Sequence, residues 1–183
     1  MHLLYVMLAL LAAPFWETTA PKDWSDDDLQ MLLNDSPWAQ AAEPDPKVQV
    51  YLATARPIRE AETELARRSG KPLNDDYEDY LKEEGTRNLV LAVAFPNGKA
   101  LADAKESQRM QEESIMQVGR KKYQIVGYFP PIPSDPYLRL VFPRAVTAND
   151  KSVLFELYLP RNGPYHEAEF SVREMMYKGK LEM

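Results

Sequence analysis

The chain has no cysteine among its 183 residues. That absence excludes a disulfide framework, a thiolate nucleophile, a zinc–thiolate site and an acylated lipoprotein cysteine. Histidine is almost as scarce, with only His2 and His166. A metal site built on several histidines is therefore excluded. A Ser-His-Asp triad would have to use His166, and no G-x-S-x-G surrounds any serine. His166 stands beside a Gly-Pro turn and is expected at the surface. Glycine occurs 7 times and never clusters, so there is neither a P-loop nor a G-x-G-x-x-G cradle for phosphate. Positive charge is also short: 22 Lys and Arg face 28 Asp and Glu, a net charge of -6. An acidic surface repels phosphate backbones, and no nucleic-acid partner is expected. The basic clusters Arg67-Arg68 and Arg120-Lys121-Lys122 are small and read as solvated faces or turns.

What is present is enough apolar residue, 45% of the chain, for one ordinary core. The longest apolar run comes first, over residues 3–15. At about thirteen residues it is short of the ~20 a membrane-spanning helix needs, and it matches the hydrophobic region of a signal peptide. Thr18-Thr19-Ala20 is a candidate cleavage site, although Pro21 follows it directly. Leu11-Ala12-Ala13, followed by Pro14, is the alternative. The segment before the run lacks Lys and Arg. Residues 1–20 are accordingly expected to be a signal peptide or a short retained anchor, the only membrane contact the sequence implies.

The next stretch, WSDDDLQMLLNDSPWAQ, reads as a short capped helix over about 26–34. Ser25 is the N-cap, three aspartates fill the first turn, and Asp28 takes the capping-box position. Trp24 is placed to staple onto Leu29, while Leu29, Leu32 and Leu33 form one apolar stripe. Residues 39–47, with two prolines around an aspartate, read as an extended linker. Alternation at Val48, Val50 and Leu52 predicts a strand. Helices are expected at about 57–69, with Pro57 in the first turn, and at about 75–84, capped by Asn74. NLVLAVAFP is apolar on both faces and predicts a central strand. A third helix is expected at about 99–108. After it, residues 114–118 and 123–129 read as a hairpin, with further strands at 137–142, 152–159 and 167–173. Residues 176–183 read as a last edge strand broken by Gly179.

Several of these pieces are similar to a family of uncharacterised, predicted-secreted bacterial proteins of the sort common in Acidobacteria. WSDDDLQMLLNDSPWAQ resembles its W-[ST]-x-x-E…LL-x-x-SPWA motif, with Asp28 where Glu is commoner. ARPIREA, YLRLVFPR and the closing YKGKLEM look like its Pro-[IV]-Arg-Glu-Ala segment, its FPR strand and its Y-x-GKLE ending. The resemblance implies export and a shared fold, and carries no activity, substrate or catalytic residue.

Carboxylates are the one plentiful reactive group. They cluster at Asp26, Asp27 and Asp28, at Asp75, Asp76, Glu78 and Asp79, and at Glu112 and Glu113. The first two groups coincide with helix N-termini, where the helix dipole accounts for them. Residues 74–79 lack the spacing and the glycine of a calcium loop. No catalytic residue, cofactor or metal is therefore assigned. Trp24 and Trp38 remain as candidate partner-binding anchors, against the plainer reading that both pack the helix onto the body.

The sequence thus predicts an α+β fold: an antiparallel sheet or small sandwich, chiefly after residue 86, covered by short helices. The 26–34 helix would dock as an arm, with a single domain over 48–183. The function expected is a non-enzymatic exported domain binding a protein or envelope component. An envelope-polymer hydrolase using paired carboxylates and a carrier of small apolar ligands are the alternatives.

Overall fold

The structure, a computed structural model, describes residues 13–95, 98–163 and 165–183. The fold is α+β with antiparallel sheets. The chain opens with a one-turn helix α1 (Phe15–Thr18), a 3-10 turn (Pro21–Asp23) and α2 (Asp26–Asn34). It continues through β1 (Ala39–Ala41), β2 (Gln49–Leu52), α3 (Arg56–Ser69), α4 (Asp75–Glu84) and β3 (Asn88–Ala94). After a 3-10 turn (Gly98–Ala102) come α5 (Ala104–Glu113), β4 (Ile115–Val118), β5 (Lys121–Gln124) and β6 (Gly127–Phe129). The remainder is β7 (Tyr137–Pro143), β8 (Ser152–Leu157), β9 (His166–Ser171), β10 (Met176–Tyr177) and β11 (Lys180–Leu181). No helix among the described residues is long and apolar enough to cross a membrane.

Local chemistry builds the helices much as their sequences predict. Ser25 and Asp28 form a complete capping box: the Asp28 N–H donates to Ser25 Oγ at 3.1 Å, and the Ser25 N–H to Asp28 Oδ2 at 2.8 Å. Pro57 sits in the first turn of α3, and Gly70 ends that helix at φ 64, a left-handed conformation that glycine adopts without strain. Asn74 caps α4 by accepting from the Asp76 N–H.

The larger sheet has the order β1-β2-β3-β7-β6, and the smaller β5-β4-β8-β9. β3, apolar on both faces, is the middle strand and is buried along its centre. Its register with β7 pairs Leu89, Leu91 and Val93 with Phe142, Leu140 and Leu138. That face meets the smaller sheet, where Phe142 packs edge-on against Phe155, and Phe155 against Phe170. The opposite face of β3 and β7 turns toward α3 and α4. There one row across the sheet reads Tyr51, Ala92, Arg139, Phe129.

Four expectations change. The 39–47 stretch is not a free linker: β1 pairs with β2 and forms the edge of the larger sheet, and Trp38, Ala39 and Ala42 are core residues. Two prolines left room for a three-residue strand just before them. The third helix begins at Ala104 and runs to Glu113, because Asp103 caps it by accepting from the Lys105 N–H. Its inward residues are Ser107 and Met110, and Ala104 is exposed. The strand expected over 123–129 is two strands in different sheets. β5 pairs with β4, and β6 with β7, so the chain changes sheets at Ile125 and Val126. Finally, β10 and β11 form their own hairpin, turned by Lys178 and Gly179 at φ 48 and 77. Two positive angles in a two-residue loop match the twist of the flanking strands.

Candidate functional site

The row facing α3 contains a charge in an apolar setting. Arg139 alternates with Leu138 and Leu140 in β7 and is fully buried. A guanidinium there requires acidic partners, since an unpaired buried charge is very costly. Two are present. Asp135 lies one bend ahead in the chain and binds the guanidinium in bidentate fashion: Nε donates to Oδ2 at 2.8 Å and Nη2 to Oδ1 at 3.1 Å. Glu62 comes from α3, where it shares the inward stripe with buried Ile58 and half-buried Leu65 at helical spacing. Its Oε1 accepts from Arg139 Nη2 at 2.7 Å and from the Tyr51 hydroxyl at 2.8 Å. The three side chains are 1%, 4% and 3% exposed for Arg139, Glu62 and Asp135.

Aromatic rings close the cluster. The guanidinium lies 4.1 Å from the centre of the Tyr77 ring, a cation–π contact strengthened by the lack of water. Tyr51 packs edge-on against Tyr137 at 5.1 Å, and Tyr77 against Phe129 at 5.5 Å. Burial works against the Arg139 charge, yet Glu62 and the neighbouring tyrosines and Asp135 more than offset it, so its pKa is raised and the cation persists. Burial, then the Glu62 charge, pushes Tyr51, Tyr77 and Tyr137 above the ordinary phenol range, so all three hydroxyls keep their protons. Arg139 Nη1 and Tyr77 Oη are buried polar atoms with no hydrogen-bond partner among the described residues.

Two small cavities flank Glu62. One, of about 130 Å³, is lined by Leu33, Tyr51, Leu65, Lys71, Tyr137 and Arg139 among others. The other, of about 110 Å³, lies between α3 and α4 and includes Arg59, Leu73, Glu78 and Lys82. Among the described residues, no group of three or more acidic or histidine side chains could hold a metal ion.

The two tryptophans singled out as partner anchors lie elsewhere, and both are buried, at 2% for Trp24 and 0% for Trp38. Trp24 Nε1 donates to the Thr19 carbonyl at 3.1 Å, and Trp38 Nε1 to the Glu182 carbonyl at 2.7 Å. Phe15 packs edge-on against Trp24, and Trp16 against Trp38, so α1 bridges the two indoles. Of the acidic clusters, only Glu78 comes near the buried triad, lining the smaller cavity with Glu62. Asp28 caps α2, Asp26 pairs with Arg68, Asp79 with Lys82, and Glu113 with Arg109. The Arg67-Arg68 cluster lies on the solvent side of α3, as expected, where both side chains hold Glu64 and Arg68 also donates to the Trp24 carbonyl.

His166 is a correction. It is fully buried, with Nε2 3.2 Å from the Asn162 carbonyl and Nδ1 unpartnered among the described residues. It opens β9 opposite Leu157, on the inward face with Ala168 and Phe170. Counting back by twos from Phe170 would have found it; the adjacent turn masked that period. Glu62, Asp135 and Arg139 were missed as well. Their signal was an arginine inside an apolar strand and a glutamate on the apolar stripe of a helix.

No protein-family model, curated protein or solved structure matches this chain.

Proposed function

We propose that this chain is an exported, non-enzymatic domain that binds a protein or other component of the bacterial cell envelope. The observation that best supports this is how the buried acids are used. Three of the four carboxylate oxygens of Glu62 and Asp135 accept hydrogen bonds from Arg139 or Tyr51. Hydrolysis by paired carboxylates needs a free oxygen on each acid, and both oxygens of Asp135 are held by Arg139. The adjoining cavity of about 130 Å³ is below the ~300–1,000 Å³ of ordinary ligand pockets. That argues against a polymer-cleaving site and equally against a carrier of apolar ligands. The apolar leader and the resemblance to predicted-secreted proteins support export.

Binding then falls to the outer surface. Along the exposed side of α3 runs an open depression of about 570 Å³, bordered by Arg56, Arg59, Glu60, Thr63, Pro21 and Glu182. It presents both signs of charge, which suits a polar protein partner read by complementary charges. A photo-crosslinking residue at Thr63, in the full chain made in its native cells, is expected to trap one reproducible envelope protein. The same residue placed at Lys121, on the far sheet, is expected to trap none.

The hydrolase reading keeps one supporting observation: Glu62 and Asp135 converge beside a single cavity, and a second cavity also reaches Glu62. Turnover of an envelope polymer by the purified chain, abolished by Glu62→Gln while the fold is retained, together with no crosslinked partner, would replace the binding reading with this one.

A further inference from the structure

We infer that residues 14–19 are a built part of the folded domain, so that proteolytic processing of the N-terminal apolar run leaves them on the chain and does not cut after Ala20. In sequence, Thr18-Thr19-Ala20 is the more conspicuous small-residue site. In the fold, everything just ahead of it is engaged. The Pro14 carbonyl accepts the Glu17 N–H at 3.0 Å, and the Thr19 N–H donates to the Phe15 carbonyl at 2.8 Å. The Thr19 carbonyl is the sole acceptor of the buried Trp24 indole N–H among the described residues. Phe15 and Trp16 are half-buried and pack edge-on against Trp24 and Trp38. Glu17 Oε1 accepts the Lys178 N–H at 2.9 Å, tying α1 to the turn of the β10–β11 hairpin.

A cut between Ala20 and Pro21 would remove all of this at once. It would strand the Trp24 N–H on a side chain that is 2% exposed, and a buried donor left unpaired is costly. It would also uncover the faces of two indoles, the largest buried side chains in the molecule. A processing site compatible with the fold therefore lies ahead of Pro14.

The cellular part of this inference rests on the export reading; the folding part does not. Two measurements on the full chain test it. First, the chain is made from its own start in bacteria, the cells are fractionated, and the N-terminus of the recovered protein is determined by intact mass. A mass that includes residues 14–19 is expected, and an envelope-located chain beginning at Pro21 overturns the inference while supporting export. A chain that retains these residues but stays in the cytoplasm sinks the export reading, and the decision passes to the second measurement. Second, the full chain carrying Phe15→Ala and Trp16→Ala is compared with the unaltered chain. A fall in Tm of about 4 °C or more is expected, together with faster chymotrypsin cleavage at Trp24. An unchanged Tm, or cleavage of the unaltered chain at Phe15 and Trp16 as fast as in urea, overturns it.

Discussion

Arg139 and Glu62 lie 2.7 Å apart across the α3–sheet interface, although they are 77 positions apart in sequence. Neither would be tolerated there alone. The pair, with Asp135, converts a buried strand position into a lock that holds α3 in one register over the larger sheet.

Removing one member of the lock is expected to cost far more than removing all three. Arg139→Met leaves two buried carboxylates and should destabilise by ~3–5 kcal/mol. Replacing Arg139, Glu62 and Asp135 together by apolar residues of similar volume should be close to neutral, or stabilising by ~1–4 kcal/mol. Urea unfolding of the single and triple variants checks this. Equal losses in both would show that the charges themselves, and not their mutual pairing, sustain the fold.

Trp38 is the peg between α2 and the C-terminal hairpin. Trp38→Ala is expected to lose ~3–5 kcal/mol, the usual loss for truncating a large buried aromatic. Trp38→Phe keeps most of the packing but leaves the Glu182 carbonyl without its donor, and should lose ~1–3 kcal/mol. Thermal unfolding of the two variants should rank them in that order.

Glu64 supplies an acid-sensitive element. The hydrogen bonds from Arg67 and then Arg68 lower its pKa from the ordinary 4.5 to about 2. A folded-state pKa below the unfolded one means that the contribution is complete above about 4.5 and is lost as the pH falls through about 2. The stability difference between the unaltered chain and Glu64→Gln should therefore shrink steadily across that interval. A difference that stays constant with pH would show that Glu64 acts through packing alone.

Ser25 closes the capping box of α2, and Ser25→Ala should destabilise by ~1 kcal/mol. Ser25→Asp, which keeps an acceptor for the Asp28 N–H, should recover most of that loss. Chemical denaturation distinguishes the two, and identical losses would remove the cap from the account.

Features that depend on a few neighbouring residues were legible in the sequence. The capping box at Ser25 and Asp28, the Asn74 cap and the two-faced apolar run of β3 each carry their own signal within one short window. Features that depend on distant pairing were not. Nothing in residues 121–129 says that Lys122 will face Gln117 in one sheet while Tyr128 faces Leu140 in the other. Glu62 stands between Glu60 and Glu64 in a helix rich in charge, and only its phase relative to Ile58 and Leu65 distinguishes it. Trp24 and Trp38 were legible as packing residues, but the carbonyls that satisfy them, Thr19 and Glu182, belong to segments with no local sign of that role.

The bond from Trp38 to Glu182 spans 144 positions, and it bears on the order in which the molecule can assemble. As synthesis proceeds, the Trp38 indole N–H emerges early, and the carbonyl that accepts it exists only once residue 182 has been made. α2, β1, β2 and α3 can pack on one another as they emerge, but the seat of Trp38 closes only when the last residues of the chain arrive.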